Sequence, residues 1–209
     1  MTTSRPSDIA SPGTWAGRRL SYDDFLREAD GSSLEWVDGR VIELSPVSDR
    51  HEDLSGWLTA LFRHWVEAKR CGVVRSGRFQ MKTAPHLPGR EPDVLFLETE
   101  HLDRLRKNHI AGPADLAVEI VSPESKIRDT VEKLREYEEG GVREYWLIDH
   151  EARRLELRAL EDGRYRLVPT DVDGIVRSRV LEGLWFKIDW LWQEPLPPLM
   201  SILKEWKLV

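Results

Sequence analysis

The sequence predicts an α/β (α+β) fold with a mixed β-sheet, on three observations. Apolar residues recur at helical spacing over 54–66 and again over 127–139. Short apolar, strand-like runs lie before and after each of these stretches. The last third is a series of short strands broken by Asp162-Gly163 and Asp173-Gly174. With 209 residues, 40% of them hydrophobic, the chain can bury one substantial core but not two large ones. Residues 1–17, rich in Ser, Thr, Pro and Gly and without an apolar signal-peptide core, read as a flexible arm. Residues 18–209 read as a single domain.

The elements follow in order. Ser21 caps a short helix that has Asp23 and Asp24 in its first turn. Leu34 to Leu44 is a hairpin around Asp38-Gly39. The long helix begins near Ser48 or Asp49 and ends before Gly72. Its apolar stripe is Leu54, Trp57, Leu58, Leu61, Phe62, Trp65 and Val66, and His51 falls in its first turn. Val73 to Lys82 reads as one strand, paired through a Pro- and Gly-containing loop with the strand Asp93 to Leu97. A short helix from about Thr99 to Lys107 leads to the strand Asp115–Val121. The second helix, Ile127 to Glu139, stops at Gly140-Gly141. Arg143–Asp149, Arg154–Leu160, Arg164–Pro169 and Val176–Ile188 complete the strands.

The net charge of −6 counts against a nucleic-acid partner, since domains that bind one are commonly basic. Against this, basic residues cluster at Arg75, Arg78 and Lys82 and at Arg104, Arg106 and Lys107, which solvated faces also explain. The single cysteine, Cys71, excludes an internal disulfide and fits a reducing, cytoplasmic setting. No apolar run is long enough to span a membrane. Of nine tryptophans, Trp57, Trp65 and Trp146 belong to the core. Trp190, Trp192 and Trp206 suit either the core or a homodimer interface.

Two carboxylates carry the chemistry. Asp93 opens a strand behind Pro92, and Glu119 lies in the run Leu116-Ala117-Val118-Glu119-Ile120-Val121, where a charge is costly unless paired or metal-bound. Together they can share a hard divalent cation such as Mg²⁺, which takes oxygen ligands and keeps several waters. Glu119 can equally face solvent or pair with an arginine. A phosphodiesterase also benefits from a nearby ammonium. Two residues after Glu119 stands Val121, but Lys133, one helix later, shares a face with Asp129 and Tyr137. That face reads either as a catalytic lysine with its neighbours or as an ordinary Asp129–Lys133 ion pair. The chain has no nucleophile elbow, dinucleotide fingerprint, Walker loop or zinc-ligand spacing.

Five stretches carry a resemblance: 34–39 (Leu-Glu-Trp-Val-Asp-Gly), 45–51 (Ser-Pro-Val-Ser-Asp-Arg-His), 90–93 (Arg-Glu-Pro-Asp), 112–125 around Glu119, and 141–149 (Gly-Val-Arg-Glu-Tyr-Trp-Leu-Ile-Asp). In this order they resemble the PD-(D/E)XK nuclease superfamily and, within it, the Uma-two family of restriction-endonuclease-like proteins. The resemblance implies a restriction-endonuclease-like mixed sheet flanked by helices, with the site at one sheet edge. It implies Asp93 and Glu119 as ligands of Mg²⁺ or Mn²⁺, with the Ile120 carbonyl also reaching the metal. It places the lysine at Lys133, and Glu35 and His51 nearby, His51 either contacting a ligand or phosphate or merely capping its helix. Val121 departs from the general pattern, which puts a lysine there. The expected function is a metal-dependent DNA endonuclease. The rival is a catalytically inactive nuclease-fold module for DNA binding or protein interaction, and RNA or a small phosphate ester remains open as substrate.

Overall fold

The computed structural model describes residues 15, 17–29, 33–77, 79–123 and 125–209. Most of the expected N-terminal arm, together with Arg78 and Glu124, lies outside the described residues. Trp15, within the arm, is buried against Phe25, Leu34 and Val41.

Helix α1 (Tyr22–Glu28) starts where the Ser21 hydroxyl accepts the Asp24 N–H. Strands β1 (Leu34–Val37) and β2 (Arg40–Glu43) form the expected hairpin. Its Asp38-Gly39 turn has φ of 50° and 82°, the left-handed pair that this dipeptide tolerates. Helix α2 (Asp49–Lys69) is capped by Ser48 and buries the whole expected stripe. The expected strand over 73–82 is two strands: β3 (Gly72–Ser76) and, after a break at Gly77, β4 (Gln80–Lys82). They belong to different sheets. Next come β5 (Gly89–Arg90), β6 (Val94–Glu98), a 3₁₀ turn over Thr99–Arg104 in place of the expected helix to Lys107, β7 (His109–Ala111) and β8 (Leu116–Ile120).

The second expected helix is not uniform. Arg128–Glu132 is a π turn, closed by the Lys133 N–H on the Arg128 carbonyl, and only then does α3 (Lys133–Gly140) follow. Strands β9 (Glu144–Asp149), β10 (Arg154–Glu161) and β11 (Arg164–Leu167) lie as expected. The strand expected over 176–188 is instead a separate hairpin, β12 (Ile175–Arg177) with β13 (Trp185–Lys187). A 3₁₀ turn (Ile188–Trp192) and an unexpected helix, α4 (Leu199–Glu205), end the chain.

The central sheet has the order β11-β10-β9-β8-β6-β3 and is antiparallel except for the β8–β9 pair. A second sheet has the order β2-β1-β5-β4-β7, with β4–β7 parallel. Side chains on the central sheet alternate between two cores. Val94, Phe96, Val118, Ile120, Trp146 and Ile148 pack under α2 and the C-terminal segment. Leu95, Leu97, Ala117, Val121, Tyr145 and Leu147 pack on the other side with Tyr137 of α3 and with Met81 and Ile110 of the second sheet. Trp190 and Trp206 are buried in the first core, and the partly buried Trp192 packs against it. Among the described residues no helix is long and apolar enough to cross a membrane.

Helix α3 ends tightly against the second sheet. A Cβ placed on Gly140 would lie 2.3 Å from Thr83 Oγ1 and 2.4 Å from its Cβ, whereas one on Gly56, inside α2, meets nothing within 4 Å. Gly140→Ala is therefore expected to cost about 1–3 kcal/mol by overpacking, and Gly56→Ala to add up to about 1 kcal/mol through helix propensity. Urea unfolding of both variants checks this; equal effects would contradict the close approach of α3 to Thr83.

Candidate functional site

Where β6 and β8 meet, the ladder runs out at Val94 opposite Val118. The preceding residue, Pro92, has no N–H to give. Asp93 takes over the pairing: its N–H donates to the Val118 carbonyl at 3.1 Å, and its Oδ2 accepts the Ile120 N–H at 2.7 Å. The register thus fixes the Asp93 carboxylate beside Glu119. The pair stands at the ends of two central strands rather than on an edge strand. His51, in the first turn of α2, bonds Asp93 Oδ1 through Nε2 at 2.8 Å. Burial opposes a charge on this imidazole, but the Asp93 bond, with the charges of Asp93, Glu52 and Asp129, raises its pKa above the usual value.

Glu119 shares a sheet face with Ala117 and Val121, under α3. There Lys133 reaches across. Its Nζ lies 2.9 Å from Glu119 Oε2, 3.1 Å from Glu35 Oε1 and 3.3 Å from Asp129 Oδ1. All four side chains are at most 3% exposed. The Tyr137 hydroxyl donates to Glu119 Oε1 at 2.7 Å. Spacing i, i+4, i+8 places Asp129, Lys133 and Tyr137 together, so the pair read as an ordinary surface ion pair is a buried one.

Glu35 comes from β1, in the second sheet. Its Oε2 accepts Arg90 NH1 at 2.8 Å. The other arm of Arg90 makes two 2.7 Å bonds to Glu136 of α3, and Arg128 Nε approaches Glu35 to 3.8 Å. Burial alone would raise the Glu35 pKa, yet Lys133, Arg90 and Arg128 together hold it down at about 2. Glu119 goes the other way. Burial pushes it well above the carboxylate range, Lys133 only partly opposes this, and the charges of Asp129 and Asp93 add to the rise. Lys133 is itself disfavoured as a cation by burial, but Glu119, Glu35 and Asp129 outweigh that and raise its pKa. It is held as an ammonium.

All five side chains singled out in the sequence, Glu35, His51, Asp93, Glu119 and Lys133, therefore meet in one connected cluster, with Ile120 tied to it through its N–H. No role for Arg90 is legible in the sequence, and those of Asp129 and Tyr137 stay undecided there. Arg90 lies in the Arg90–Asp93 stretch, but a lone arginine carries no sign that it is buried. The donor set fits a hard divalent cation. Each carboxylate oxygen of Asp93 and Glu119 takes one hydrogen bond and retains acceptor capacity. The cluster sets the acids Glu35, Asp93, Glu119 and Asp129 against Arg90, Arg128, Lys133 and His51, with Glu136 and the half-exposed Glu132 at its rim.

A second acidic group sits at the far end of β6 and β8. Ligand atoms of Glu98, His101 and Asp115 lie within 4.8 Å of one another and could hold a metal ion. Arg143 already bridges Glu98 at 2.6 Å and Asp115 at 3.1 Å, and Asp115 also accepts the Glu98 N–H and His101 Nδ1.

The family model described as "Uma2: Putative restriction endonuclease" matches residues 21–189. A solved structure described as "a putative nuclease belonging to DUF820 from Anabaena variabilis" is similar with a TM-score of 0.67. It covers 83% of this chain and 97% of that one, at 16% identity, a likeness of fold. No curated protein matches the sequence.

Because Glu35 titrates near 2 in the folded chain against an ordinary 4.5, its stabilisation is complete above about pH 4.5 and is lost as pH falls towards 2, a share of about 3 kcal/mol. Glu35→Gln is expected to remove that share of acid sensitivity while lowering stability at pH 7. Urea unfolding between pH 3 and 7 checks it; parallel pH profiles for variant and wild type would contradict the assignment.

Proposed function

The chain belongs to the Uma2 family, and from that premise we propose that it is a metal-dependent endonuclease hydrolysing phosphodiester bonds in DNA. The observation that carries this reading is the β6–β8 register, which sets the Asp93 carboxylate beside Glu119 with Lys133 2.9 Å from the latter. Asp93 and Glu119 are the ligands of Mg²⁺ or Mn²⁺, joined by the Ile120 carbonyl. When bound, such an ion polarises a phosphoryl oxygen and lowers the pKa of a water molecule. The chain's own groups position and balance charge. His51 fixes Asp93, Tyr137 and Lys133 fix Glu119, and Glu35 with Arg90 anchors Lys133. Lys133, held protonated, supplies positive charge beside the phosphate and does not act as the base. The side chain of Asp93 is 20% exposed while that of Glu119 is 3% exposed, so substrate approaches from the Asp93 side. A cytoplasmic setting accords with the lone Cys71.

One observation favours the non-catalytic scaffold for DNA binding or protein interaction. Lys133 already contacts three carboxylates within 3.3 Å, which is what a purely structural lysine would do. Cleavage assays separate the two readings. Supercoiled plasmid, single-stranded DNA and a small phosphodiester are incubated with Mg²⁺ or Mn²⁺, wild type beside Asp93→Ala. Metal-dependent cleavage is expected, at least about 100-fold weaker in the variant, with both proteins folded by circular dichroism. Cleavage of equal rate in both would remove Asp93 from the site; no cleavage of any substrate by wild type would leave the scaffold reading.

A further inference from the structure

We propose that Asp129 is a third acidic group of the metal centre, holding the divalent ion through a water molecule in the ion's own shell. The inference rests on the reading of Asp93 and Glu119 as ligands, and goes beyond it. Asp129 is 2% exposed, yet its Oδ1 has no hydrogen-bond partner. Lys133 Nζ stands 3.3 Å away and Arg128 Nε 3.8 Å away, ion-pair neighbours that do not hydrogen-bond this oxygen. A buried carboxylate oxygen is seldom left so, because the missing bond costs free energy.

A second orphan lies on the same side. His51 is 6% exposed, its Nε2 is committed to Asp93, and its Nδ1 has no partner. Asp129 is close enough for its charge to act on both His51 and Glu119. Two buried polar atoms without a hydrogen bond, Asp129 Oδ1 and His51 Nδ1, therefore lie near the proposed ligands.

The backbone accounts for how Asp129 gets there. It sits in the π turn, whose wide Lys133 N–H to Arg128 carbonyl bond is a feature concentrated at functional sites. The Tyr145 hydroxyl pins the Asp129 carbonyl at 3.0 Å. Mg²⁺ keeps several of its waters, and those waters donate strongly to an open carboxylate oxygen.

The test is calorimetric titration of the full chain with Mn²⁺, comparing wild type with Asp129→Asn, Asp93→Ala and Glu132→Gln, and a thermal melt of each. Asp129→Asn is expected to weaken Mn²⁺ binding about 10- to 100-fold while keeping a cooperative melt. Glu132→Gln, which removes a half-exposed acid of the same segment, is expected to stay within about 2-fold, the range of a remote charge. Wild-type affinity in Asp129→Asn, with binding lost in Asp93→Ala, overturns the Asp129 assignment alone. Equal weakening in Glu132→Gln overturns it as well, since general charge then suffices. No Mn²⁺ binding by wild type overturns both readings. Should Asp129→Asn not fold, Asp129→Ser is titrated in its place with the same outcomes.

Discussion

The ammonium of Lys133 organises the centre of this molecule. It is buried, and it touches Glu35 from the second sheet, Glu119 from the central sheet and Asp129 from the turn between β8 and α3. A lone ammonium in that position would be driven to lose its proton. Three carboxylates reverse this, and in doing so they tie three separate pieces of chain to one point. Ion pairs of this kind contribute little net stability, because desolvation offsets attraction, but breaking one side is costly. Arg90 extends the same logic outward by clamping Glu35 to Glu136 of α3.

Around that point the backbone leaves its regular patterns twice, and each departure places a functional group. Pro92 ends the β6–β8 ladder, and the Asp93 carboxylate substitutes for the missing backbone partner of Ile120. The π turn ahead of α3 puts Asp129 inside rather than on the surface. The cluster that results gathers carboxylate oxygens of the kind a hard divalent cation takes as ligands.

Much of this was legible in the sequence where the signal is local. Asp38-Gly39 fixes its hairpin, and the stripe from Leu54 to Val66 fixes α2 and the face it buries. Glu119 stands out because its neighbours are apolar, Asp93 by its place behind Pro92 and Lys133 by its helix face, while Glu35 and His51 follow from the resemblance. What was hidden depends on tertiary contact. Residues 72–82 have one continuous strand propensity but are divided between two sheets, because β4 pairs with β5 and β7 while β3 pairs with β6. Arg90 looks like any surface arginine until Glu35 and Glu136 surround it. The C-terminal tryptophans resemble an interface until Trp65 and Trp146 are seen to share their core.

The most direct test of this account is the equilibrium unfolding of Lys133→Met at pH 7. If the ammonium holds the cluster together, the variant leaves Glu35, Glu119 and Asp129 uncompensated and loses about 3–5 kcal/mol. Part of that loss should return as the pH is lowered and the carboxylates left without Lys133 take up protons. A variant as stable as wild type at pH 7, with no recovery at lower pH, would contradict the central place given to Lys133.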